Sequence, residues 1–232
     1  MCHMENSDDY EITLLDNEID ARLCAKLAAE EFALNNPLTI FNQTTAEELF
    51  EEWFLPLMVD GFNQKLSFFI RHRPTNEIVA TIMTSDLYSY CEQHPHDALS
   101  PPSQNPTEDL FSELIHELVH HEFKQELKPN MVLFIIDGVT HSKYTGKNLA
   151  TKLRIHLCNY ARDIKGFQYA FVQTTHPATR HIYVKKLNGK EMRIVDLATW
   201  QWKKKGDGSS YPFKHYHNEP VVNILVDFNE RK

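Results

Sequence analysis

No basic run in the chain exceeds Lys203–Lys205, and the formal charge is −8 over 232 residues. The electrostatic footprint of a nucleic-acid-binding protein is absent, so no nucleic-acid partner is expected. No apolar run reaches the length of a membrane span, and the first residues, MCHMENSDDY, are polar and acidic, unlike a secretory or transit signal. No membrane partner is expected either. The four cysteines (Cys2, Cys24, Cys91 and Cys158) form no CxxC pair, as suits reduced thiols in a cytoplasmic protein. Glycine is scarce, with seven residues, and there are no internal repeats or low-complexity segments. What remains is an ordinary hydrophobic share of 42% and an acidic balance that attracts a cationic substrate such as an amine.

The chain alternates strands with helices. Tyr10–Leu15 is expected as a strand after a disordered stretch at 1–9. Asp16 is the expected N-cap of a helix to about Leu34, with Ile19, Leu23, Leu27 and Leu34 as its apolar stripe and Glu31 on the same face. Thr45 and Glu48, in capping-box spacing, open a second helix running to near Met58. Leu66–His72 and Ile78–Asp86 are strands joined by a turn at Pro74, Thr75 and Asn76. Prolines mark Gln93–Pro106 as a surface loop, and a helix over Thr107–Phe123 follows on the stripe Leu110, Phe111, Leu114, Ile115 and Leu118.

Met131–Ile136 has the length and β-branched content of a buried strand. After a short turn, Leu149, Leu153, Leu157 and Ala161 recur every four residues, with Ala150 and Ile164 beside them, as one face of a helix. Phe167–Thr174 is a strand, Ala178–Leu187 a short helix, and Met192–Trp202 and Val221–Phe228 are the closing strands, with a Gly/Ser-rich connection at Gly206–Ser210.

Strand, turn and helix over 131–164 put the free N–H groups of a helix start at a strand's end, where they can bind phosphate oxygens. Thr140–Ala150, THSKYTGKNLA, resembles motif A of the GNAT N-acetyltransferase superfamily, V-H-P-x-Y-R-G-x-G-x-A. His141, Tyr144, Gly146 and Ala150 stand at the motif's His, Tyr, first Gly and last small residue. Ser142, Thr145 and Asn148 replace its Pro, Arg and second Gly. Asn is the non-glycine residue best able to take positive φ, so the loop geometry is expected to survive. The resemblance implies acetyl-CoA as co-substrate, held at Val139, Thr140, His141, Thr145, Gly146, Lys147, Asn148, Leu149 and Ala150. It implies no metal. Lys143 and Lys147 flank the loop with charge suited to coenzyme phosphates.

The element order is also that of a GNAT domain from Tyr10 to Phe228. The implied fold is α/β: one mixed, mostly antiparallel central sheet flanked by helices and splayed at the motif A strand. Residues 10–232 then form one domain, with an inserted loop and helix at about 88–130. Within the superfamily, Phe32–Leu38 (FALNNPL) is similar to the F-x-x-x-E-P-L segment of the arylalkylamine and dopamine acetyltransferase group, with Asn36 where those enzymes carry an acidic base. An amide cannot take a proton from an ammonium.

Acetyl transfer to an amine needs a base for the ammonium, oxyanion stabilisation, and a proton for the departing thiolate. Ile182–Leu187 resembles the family's L-Y-x-K-L-G segment, which makes Tyr183 the candidate acid; otherwise it is a core aromatic. Asp137, beside Gly138 at the end of the motif A strand, is one candidate base. Glu31, on the apolar side of the first helix where burial raises a carboxyl pKa, is another. His141 and water-mediated transfer remain open. A rival signal is His116-Glu117-Leu118-Val119-His120, a formal HExxH zinc motif. The stripe of its helix lies opposite both histidines, so a solvated face without metal is expected. Trp200–Lys205 (WQWKKK) reads as a strand end with solvated lysines.

The expected function is N-acetyltransfer from acetyl-CoA to a primary amine (a small amine, an arylalkylamine or a polyamine) by direct attack in a ternary complex, in a monomer or homodimer. The alternatives are a peptide or protein lysine acetyltransferase, a non-catalytic acyl-CoA-binding module, and a zinc peptidase built on His116, Glu117 and His120.

Overall fold

The computed structural model describes residues 9–205 and 210–230. The stretch expected to be disordered falls outside them except for Asp9, and so does most of the Gly/Ser-rich connection. Seven strands form: β1 (Tyr10–Leu14), β2 (Phe68–His72), β3 (Glu77–Asp86), β4 (Val132–Thr140), β5 (Tyr169–Thr174), β6 (Lys190–Val195) and β7 (Val221–Asp227). Their order is β1-β2-β3-β4-β5-β7-β6. The pairs β1·β2, β2·β3, β5·β7 and β6·β7 are antiparallel. This is the mixed, mostly antiparallel α/β sheet expected. The chain forms two compact units, Met1–Ser85 with Ile135–Lys165, and Asp86–Phe134 with Gly166–Lys232.

In the first unit, helix α1 (Glu18–Asn35) is capped by Asn17, whose side chain accepts the Asp20 N–H, and not by Asp16. Of the expected stripe, Leu27 is buried, as is Glu31, and the other three residues are not. Ile19 and Leu34 are 75% and 69% exposed, and Leu23 is exposed as well. The buried face is Ala21, Cys24, Ala25, Leu27, Ala28, Ala29 and Glu31. Small side chains let the helix backbone pack close to Phe69, Met83 and Val139, and the larger residues are left on the outer side. Helix α2 (Pro37–Asn42) follows, and Asn36 caps it by accepting the N–H groups of Leu38 and Thr39.

The Thr45–Glu48 capping box is present and opens α3 (Ala46–Glu48). A π-helical stretch, Leu49–Phe54, connects it to α4 (Leu55–Phe62). Pro56 has no N–H for the regular ladder, which favours a widened turn just before it.

In the second unit, Asp86 caps an unexpected short helix, α5 (Leu87–Gln93), ahead of the Pro-rich loop. Helix α6 (Pro106–Glu117) buries Leu110, Leu114 and Ile115, and continues as a π turn, Leu118–Glu122. Back in the first unit, α7 (Leu149–Asp163) buries Leu149, Leu153, Leu157 and Ala161 as expected, whereas Ile164 lies outside at 69% exposure.

The second unit also holds α8 (Pro177–His181) and the π turn Ile182–Lys186. The strand expected at Met192–Trp202 stops at Val195 because Asp196 caps a 3-10 turn at Leu197–Thr199. Trp202 donates its Nε1–H to Asp109, and Lys204 pairs with the same carboxylate at 3.0 Å, both side chains largely buried. Lys204 is thus a buried partner and not a solvated lysine.

Candidate active site

The candidate site is built in the first unit, where β4 turns into α7. His141 N–H donates to Val79 O at 2.8 Å, fastening the end of β4 to β3. A 3-10 turn, Ser142–Tyr144, follows, and the chain then takes positive φ twice, at Gly146 (+80°) and Asn148 (62°). Asn148 therefore supplies the left-handed residue expected of it. It caps no N–H with its side chain, and the first intrahelical bond of α7 runs from Lys152 N–H to Asn148 O. The N–H groups of Leu149, Ala150 and Thr151 thus have no acceptor within the helix. A Cβ on Gly146 would meet nothing within 4 Å, so the loop's outer side is open. Thr140 Oγ1 is buried with no hydrogen-bond partner among the described residues. Free helix-start donors, an open loop and an orphaned hydroxyl are what a diphosphate-bearing ligand needs. The residues present fit acetyl-CoA.

Glu31 organises this loop from α1. One carboxylate oxygen accepts the Ser142 N–H at 2.9 Å and lies 3.0 Å from His141 Nδ1, while the other accepts from the Asn35 amide at 2.8 Å. One oxygen is committed to the loop and the other to Asn35 of the same helix, an arrangement that suits a positioning residue better than a base. The same contact draws His141 away from that role. Lys147 lies over the ring of Tyr144 at 4.9 Å, and the Tyr144 hydroxyl donates to Glu77 at 2.9 Å.

Asp137 is different. Its carboxyl receives one hydrogen bond, from Trp53 Nε1 at 3.2 Å. Burial pushes it from the ordinary 3.8 up to about 7, and the Trp53 hydrogen bond only partly opposes this. A carboxyl poised near neutrality can take a proton from an ammonium at working pH. Next to it, Gly138 leaves room for Arg154 of α7. A Cβ there would stand 2.9 Å from the Arg154 guanidinium. Arg154, 3% exposed, donates to the Gly138 and Ala150 carbonyls and so ties β4 to the first turn of α7.

Tyr183 belongs to the second unit. It is fully buried in the π turn Ile182–Lys186, and its carbonyl accepts the Gly189 N–H at 2.8 Å. Trp53, Arg154 and Ser142 were not singled out from the sequence. For Arg154 there was a signal, a charged residue one place after Leu153 on the buried side of a helix; for Trp53 there was none. Asn36, at the position of the resembling group's acid, acts as a helix cap.

No family model and no curated protein matches the chain. Solved structures do. It resembles the C-terminal condensation domain of Ebony in complex with beta-alanyl-dopamine, at 15% identity and a TM-score of 0.74, over 94% of this chain and 98% of that one. A polyamine N-acetyltransferase of Drosophila melanogaster gives 14% and 0.69, over 95% and 100%. A mosquito arylalkylamine N-acetyltransferase-like protein, 5b, gives 11% and 0.68, over 94% and 100%. These likenesses show that the chain has the fold of GNAT-type N-acetyltransferases.

Proposed function

We propose that the chain is an acetyl-CoA-dependent N-acetyltransferase that acylates a primary amine by direct attack in a ternary complex. The observation that carries this reading is the position of Asp137, a half-buried carboxyl with one hydrogen bond, from Trp53, on the strand that leads into the open, donor-rich loop. Asp137, as carboxylate, takes the ammonium proton directly or through one water. The freed amine attacks the thioester carbonyl, the C–N bond forms, the nitrogen gives up its surplus proton to solvent, the C–S bond breaks, and the products are an amide and a thiol once the thiolate is protonated. Tyr183 is proposed for that last proton on the likeness of its segment. Two thiols argue against an acyl-enzyme route: burial pushes Cys24 up to about 12 and Cys91 to about 11, far from a thiolate nucleophile. The acceptor class, a small amine, arylalkylamine or polyamine, is supported by the charge of −8 and by the acceptors named for the structural neighbours.

Initial rates of coenzyme thiol release, measured over both substrates across an amine panel, test the mechanism. Intersecting double-reciprocal lines are expected. Parallel lines would reveal a covalent acyl-enzyme and contradict direct attack.

Two variants sort the other candidates. Glu31→Ala should raise KM for acetyl-CoA ~10-fold by loosening the loop, with kcat and its pH profile little changed. A collapse of kcat with loss of the pH limb would make Glu31 the base instead. Tyr183→Phe should lower kcat by ~10²-fold with acetyl-CoA affinity unchanged. Full activity in the folded variant returns Tyr183 to a packing role.

A further inference from the structure

The π turn at the end of α6 changes which histidines share a face. In an α-helix His116 pairs with His120, four residues on. A five-residue turn over Leu118–Glu122 brings His121 to that side as well, and His116, Glu117 and His121 each bring a ligand atom within 4.8 Å of the other two. His116 is the hub of a larger cluster. Its ring centroid lies 4.3 Å from that of His120, 6.0 Å from His121 and 4.7 Å from His96. His96 comes from the Pro-rich loop, and its Nδ1 lies 3.0 Å from Ser112 Oγ, a contact that orients the ring and leaves Nε2 as the other nitrogen.

The fixed charges beside the hub leave a net negative balance. Arg193 binds Glu117 at 2.9 Å and Glu122 at 2.6 Å, so two carboxylates face one guanidinium. The Glu117 bond uses Oε2 and leaves Oε1 for another partner. His120 is exposed, as expected of a solvated face, whereas His116 is half-buried.

We propose that this cluster binds one divalent transition-metal ion of the Zn²⁺ class through His116, Glu117 and His121, with His96 supplying a further nitrogen. Imidazole with one carboxylate suits zinc, nickel or copper and not calcium or magnesium. Tetrahedral zinc holds its ligand atoms roughly 3.3 Å apart, and side-chain rotation closes the 4.8 Å seen here to that spacing. The site is not a peptidase centre. Glu117, the base of an HExxH enzyme, is a ligand here and is held by Arg193. The ion instead braces the end of α6 and, through His96, the loop before it. This inference is independent of the transferase reading.

Titrating the metal-free full chain with Co²⁺ and following its ligand-field absorption tests the site, with Zn²⁺ as competitor. One equivalent bound at micromolar concentration, in the intense tetrahedral spectrum and displaced by Zn²⁺, is expected. His121→Ala, at an exposed position, and His116→Ala should each weaken binding at least tenfold. His181→Ala, an exposed histidine of α8, should not. Zn²⁺ should slow proteolysis of residues 94–105 in the unaltered chain and fail to do so in His121→Ala. Lack of binding at that concentration, binding that survives both His116→Ala and His121→Ala, or loop cleavage indifferent to Zn²⁺ would each overturn the proposal.

Discussion

Asp137→Asn lowers kcat by ~10²- to 10⁴-fold while acetyl-CoA affinity holds, because the amide keeps the shape of the carboxyl and cannot take a proton. The pH dependence follows from the raised carboxyl. The base works only when ionised, so the rate rises with pH through about 7 and levels above it. Asp137→Asn removes that limb from the profile.

Stability must move the other way. A carboxyl raised from 3.8 to about 7 binds its proton more tightly in the folded chain than in the unfolded one. The folded state is therefore favoured below 3.8 and progressively loses that advantage as pH climbs to 7. At alkaline pH the loss is at most about 4 kcal/mol. Asp137→Asn should melt at a higher temperature than the unaltered chain at pH 8, with the gap closing toward pH 4. A variant that is both slower and more stable fits a strained catalytic base. One that is slower and less stable at pH 8 points to a structural carboxylate.

Gly146→Asp weakens acetyl-CoA binding by ~10²-fold or more, about 2.7 kcal/mol by calorimetry. The backbone at Gly146 has φ +80°, and an L side chain there costs about 1–2 kcal/mol. Nothing lies within 4 Å of the added Cβ, so the fold tolerates the change and the variant can be assayed. The new charge faces the place proposed for the diphosphate. Gly146→Ala carries the same strain without the charge and separates the two effects; it should lose little affinity. Unchanged acetyl-CoA affinity in folded Gly146→Asp would move the coenzyme to another site.

The features read correctly from sequence are those that local chemistry decides. The capping box closes at Thr45 and Glu48, Asn148 takes positive φ, and α7 buries the leucines spaced four apart. Each depends on residues within one or two turns. The misread face of α1 has a plain physical cause. The inner face of α1 is lined with alanine and cysteine because the sheet lies close to it, and a stripe of large residues misleads when close approach, not side-chain size, decides burial.

The site itself is assembled over long separations. Glu31 meets the Ser142 N–H across 111 residues, and Trp53 meets Asp137 across 84. No periodicity encodes such contacts. Likewise, the π turn that adds His121 to the group of His116, Glu117 and His120 is invisible to a pattern that assumes four-residue spacing.

A crystal structure of the chain grown with coenzyme A tests the central claim most directly. Diphosphate density within hydrogen-bond reach of the backbone N–H groups of Gly146–Ala150, with the thiol directed toward Asp137, is the predicted result. Density for the coenzyme elsewhere, or none at saturating concentration, would contradict it.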